Sequence, residues 1–72
     1  MLPAMGRLIR LRNYRGDLAT TIFVVAESEG AAAIGILEKA LADPGGEYED
    51  LGRVNESLVA TLGLKPGQFS RL

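Results

Sequence analysis

Cysteine and histidine are both missing from the 72 residues, and tryptophan with them. Without cysteine no disulfide staples the chain. Without either residue there is no zinc finger and no thiol- or imidazole-based catalysis. Apolar runs are short. None approaches the ~18 residues of a membrane span, and the opening Met1-Leu2-Pro3-Ala4 has neither the basic nor the apolar region of a signal peptide. These absences predict a soluble cytoplasmic protein with no membrane partner. A strong net charge is lacking too. At −1 the whole molecule has no field that would draw nucleic acid.

What is there is an ordinary globular mixture, 47% hydrophobic and 24% charged, rather than a disordered one. A chain this short removes only roughly 60% of its surface on folding, and the hydrophobic gain then barely exceeds the conformational cost. One domain over residues 1–72 is expected, with residues 1–6 flexible. Its monomer should be marginal, so that a partner or a second copy would help. The charges are segregated along it. Arg7, Arg10, Arg12 and Arg15 precede any acid; all nine acids lie between residues 16 and 56, against Lys39 and Arg53; Lys65 and Arg71 follow.

Arg7 to Tyr14 reads as a strand. Ala19 to Ala26 reads as a second, containing Thr20-Thr21-Ile22-Phe23-Val24-Val25, six β-branched or aromatic residues in a row. Gly16-Asp17 between them suits a two-residue type II′ hairpin turn, because Gly takes the positive φ of its first position. That turn would set Leu11 opposite Ile22, Arg10 opposite Phe23 and Ile9 opposite Val24. Ile9, Leu11, Ile22, Val24 and Ala26 would form the core face. Leu8, Arg10, Arg12, Tyr14, Thr21, Phe23 and Val25 would form the outer one.

Ser28 is placed to cap a helix that runs to about Ala42, with Ala33, Leu37, Ala40 and Leu41 as its buried stripe and Ile34 beside them. Asp43-Pro44-Gly45-Gly46 ends it. Glu47 to about Leu51 is a third strand with poor alternation. Asn55 caps a second helix, flanked by Val54 and Val59 at the positions of a hydrophobic staple. Gly63 stops that helix and folds Leu64 back on Val59 as in a Schellman motif. Lys65-Pro66-Gly67-Gln68 fits a type II turn, and Phe69 to Leu72 closes with a fourth strand. The order ββαβαβ implies an α+β fold, a small two-layer sandwich with both helices on one sheet face. A β-grasp-like winding, with the last strand beside the first, satisfies that order.

For chemistry, the predicted outer face comes first. Leu8, Arg10, Arg12, Tyr14, Phe23 and Val25 are the candidate interaction residues. Arginines beside aromatics on an open face grip phosphates and stack bases. The same set also describes a solvated face with Arg10 over Phe23. Read a third way, Leu8, Phe23 and Val25 are an apolar patch for self-association. The acids Glu47, Glu49 and Asp50, with Asp43 near, do not have the spacing of a calcium loop. They read as a solvated edge that discourages aggregation. Ser28, Ser57 and Ser70 have no histidine to act as base, and no phosphate-loop or dinucleotide glycine motif occurs. The reading is therefore no enzyme, no cofactor, no metal and no catalytic residue.

Gly52-Arg53-Val54, Leu58 and Leu62-Gly63-Leu64-Lys65-Pro66-Gly67-Gln68 resemble the C-terminal half of the AbrB/MazE-type swapped-hairpin DNA-binding domain. The resemblance covers about 20 residues. Asn55-Glu56 stands where that family commonly has Ile-Pro, and the preceding hairpin and helix have no counterpart in it. What is shared is a helix cap followed by a turn, so DNA binding is not carried over. As a whole the chain resembles small bacterial proteins of unassigned activity. The expectation is a non-catalytic module that associates with itself as a homodimer or with another protein. The alternative is nucleic-acid binding through the basic, aromatic face of the hairpin.

Overall fold

The computed structural model describes residues 5–12, 20–41 and 46–72. Six elements follow in the order β1 (Gly6–Arg12), β2 (Thr21–Val25), α1 (Gly30–Leu41), β3 (Glu47–Val54), α2 (Glu56–Thr61) and β4 (Phe69–Arg71). This is the α+β class, in the ββαβαβ order its sequence implies. The strands form one antiparallel sheet ordered β3-β1-β2-β4.

Two expectations about this sheet are corrected. Its last strand lies beside β2 and not beside β1, so the winding is not that of a β-grasp. The delivering device is the turn after α2. Gln68 N–H donates to the Lys65 carbonyl at 2.9 Å and Gly67 has φ of 83°, a type II turn as the sequence predicts. Gly67 N–H then reaches the Ala26 carbonyl at 2.9 Å, and Ala26 N–H reaches the Gln68 carbonyl at 2.8 Å. The chain is thereby laid along the free side of β2.

The second correction is that the helices cover opposite faces. Ile9, Leu11, Phe23 and Val25 pack with Ala33 and Leu37 of α1. Val24 and Ala26 pack with Val59 of α2, joined by Leu8, Val54, Leu58, Leu62 and Leu64. Successive side chains of a strand point to opposite faces, so β2 is buried on both. A strand with no polar alternation needs cover on each side, and one layer of helices cannot supply it. Ala33 and Leu37 are buried in the predicted stripe of α1, whereas Ala40 is exposed.

The hairpin register also differs. Leu11 pairs with Thr21, Arg10 with Ile22, Ile9 with Phe23 and Leu8 with Val24. This is one residue away from the register that a two-residue Gly16-Asp17 turn imposes; that turn itself lies outside the described residues. A one-residue slip exchanges the faces of every side chain. Here the exchange brings Phe23 and Val25 into the same core as Ile9 and Leu11.

The second helix and its exit follow the sequence closely. Asn55 Oδ1 accepts from Leu58 N–H at 2.9 Å. Leu64 N–H bonds the Val59 carbonyl at 3.1 Å and Gly63 N–H bonds the Ala60 carbonyl at 3.0 Å, the two bonds of a Schellman motif. Gly63 sits at φ 69°, where a side chain would be strained.

Candidate interaction surface

The predicted interaction residues do not form one surface. Phe23 and Val25 are 5% and 0% exposed, inside the α1-side core. Their placement on an outer face is corrected by the register just described. Leu8, Arg10 and Arg12 alternate with Ile9 and Leu11 and so lie on the α2 side of β1. Leu8 packs there against the second core. Tyr14 lies outside the described residues. What the structure leaves of the set as surface is Arg10 and Arg12.

Both arginines are matched by acids of the adjoining strand. β3 runs antiparallel to β1, with Arg10 opposite Glu49 and Arg12 opposite Glu47. Arg10 forms an ion pair with Glu49. The Arg12 guanidinium is 3.7 Å from the Glu47 carboxylate, and both side chains are more than half exposed. Cross-strand pairs of opposite charge hold two strands in register, and at this exposure each contributes under about 1 kcal/mol. The basic N-terminus and the acidic middle of the sequence thus meet as a mixed-charge face.

Asp50 belongs to the other face. A bulge shifts the β1–β3 register between Leu8 and Ile9, so that Leu8 faces Gly52 while Ile9 faces Asp50. Gly52 has φ of 119°, and its N–H donates to Asp50 Oδ1 at 2.9 Å. The other carboxylate oxygen lies 3.4 Å from Arg7 Nη1. Arg7 Nε donates to the Ser28 carbonyl at 3.0 Å, just ahead of α1. A Cβ added at Gly30, the first residue of α1, would meet the Asp50 carboxylate. Asp50 thus joins the bulge of β3, the start of α1 and β1, with its negative charge close to the positive end of the helix dipole. Ser28, expected as the helix cap, precedes the helix and contributes its carbonyl instead.

Among the described residues no three of His, Cys, Asp and Glu gather as a metal site would require. Glu47, Glu49 and Asp50 are each ion-paired with an arginine of β1 instead. No helix is long and apolar enough to cross a membrane.

The surface that sequence reasoning missed involves Ile22 and Leu72. Ile22 is half-buried yet belongs to neither core cluster. It sits opposite Arg10 on β1, and its carbonyl accepts from Leu72 N–H at 2.9 Å. Leu72 is 62% exposed. Alternation puts Arg10, Ile22 and Leu72 in one row on the α2 side of the sheet. The signal was present in the apolar character of both faces of β2, but reading it needs the register and the strand order.

No protein-family model matches the chain, and no curated protein or solved structure matches it either.

Proposed function

We propose that this chain is a small non-catalytic module that acts by association, with a second copy of itself or with another protein. The observation that carries the reading is the row of Arg10, Ile22 and Leu72. Ile22 and Leu72 make an apolar pair outside both cores, bordered by the Arg10–Glu49 pair and next to Arg12–Glu47. Apolar area with a rim of both charge signs suits a protein surface. A polyanion site needs uncompensated cations, and both arginines of this face have carboxylate partners. Small domains also gain stability by mass action when they associate.

Nucleic-acid binding is the competing reading, and titration of a labelled mixed-sequence oligonucleotide at low salt separates the two. An association module leaves the label's anisotropy unchanged. Binding that weakens steeply with added salt would replace our reading with the competing one.

A further inference from the structure

We infer that the outer edge of β4 is the self-association site, and that a second copy of β4 adds to it antiparallel, joining two sheets into one of eight strands. The inference rests on the association reading above and names its surface and partner.

Backbone bonding along β4 supplies the first ground. Leu72 N–H bonds the Ile22 carbonyl and Ala26 N–H bonds the Gln68 carbonyl. With Val24 opposite Ser70, bonded pairs alternate along an antiparallel ladder. Ser70 therefore turns its backbone groups toward β2. Phe69 and Arg71 turn theirs outward, and among the described residues no strand lies beyond β4. A two-fold axis at Ser70 places Phe69 of each copy opposite Arg71 of the other. All four outward groups of each strand then find partners, two N–H groups and two carbonyls.

The sheet's two edges differ in protection, which is the second ground. The β3 edge carries Glu47, Glu49, Asp50 and Arg53 and is broken by the bulge at Leu51-Gly52. Charges and bulges guard an edge against pairing, and a second β3 would bring acids against acids. The β4 edge, Phe69-Ser70-Arg71, has no bulge in its pairing with β2 and no acid. Its one charge is also complementary. On the α1 side, Arg71 of one copy would lie beside Phe69 of the other, where the aliphatic stem covers the ring and the guanidinium meets its face. On the opposite side Leu72 would lie beside Gln68 of the second copy, covering the most exposed large apolar residue described.

The test uses the full chain and Arg71→Pro. Proline removes an N–H that β2 does not use and sets its ring toward the incoming strand, while an edge strand accepts it. Sedimentation equilibrium should show wild type dimerising and Arg71→Pro raising the dissociation constant at least about 30-fold, since two symmetry-related bonds are lost. In wild type, amide exchange of Phe69 and Arg71 should slow as concentration rises, a readout that does not depend on the variant folding. A dimer that persists in Arg71→Pro, with fast exchange at both amides at every concentration, would overturn the β4 site and leave association standing through another surface. A wild type that stays monomeric at millimolar concentration would overturn it too, and would leave a different protein as the partner. Salt-sensitive oligonucleotide binding by that monomer would instead end the association reading itself.

Discussion

Phe69 meets Phe23 edge to face, with ring centroids 5.8 Å apart and planes at 77°. The contact spans the β2–β4 pairing on the α1 side, so the fourth strand contributes to the main core. An aromatic pair in this geometry contributes about 1 kcal/mol beyond its area burial. Phe69 itself is half-buried and not fully enclosed.

Phe69→Ala should therefore destabilise the domain by about 2–3 kcal/mol, and deletion of residues 68–72 by at least as much. Thermal unfolding followed by circular dichroism checks both. An unchanged midpoint in the deletion would mean that β4 contributes nothing to the fold.

Phe23→Glu separates the two registers. On an exposed face it would weaken association and leave the hairpin formed. In the register observed it buries a carboxylate among Ile9, Leu11 and Leu37, a desolvation cost that the exposed Arg71 opposite it on β4 offsets only in part. Loss of amide dispersion and of cooperative unfolding is the expected outcome.

Glycine-to-alanine changes within α1 should have opposite signs. At Gly35 an added Cβ meets nothing within 4 Å, so Gly35→Ala should stabilise by about 0.5–1 kcal/mol through helix propensity. At Gly30 the same methyl meets the Asp50 carboxylate and disturbs its contacts with Arg7 and Gly52. Gly30→Ala should lower stability despite the better helix former. Chemical denaturation of the two variants side by side reads the difference.

Gly6→Ala should destabilise by about 1–3 kcal/mol. A Cβ there would stand 2.7 Å from Val54 Cγ2, 2.8 Å from Val59 Cγ2 and 3.0 Å from the Val25 carbonyl. The absent side chain lets α2 sit close over the end of β1. Denaturant midpoints for Gly6→Ala and Gly35→Ala should move in opposite directions.

Arg10→Ala and Arg12→Ala should each change stability by under about 1 kcal/mol, because the Arg10–Glu49 pair is partly and the Arg12–Glu47 pair largely open to solvent. Whatever effect appears should shrink as salt is raised.

The sequence by itself determined the local devices. Asn55 as cap, Gly63 with Leu64 as stop, the Lys65–Gln68 turn and the order of six elements each depend on residues within a few positions of one another, and each stands as read. Tertiary structure decided the register, the strand order and which face each helix covers. The β2 run Ile22-Phe23-Val24-Val25 is apolar on both sides, so its pattern allows either set to face α1. Period-two patterning fixes register where one face is wet. Along Phe23–Val25 neither face of β2 is, and only the fit of Phe23 and Val25 with Ile9, Leu11 and α1, against Val24 and Ala26 with α2, makes the choice. Arg10 and Arg12 follow from it. On the sequence they read as a free basic patch, but β3 lies beside β1 only in the assembled sheet, and there its acids meet them.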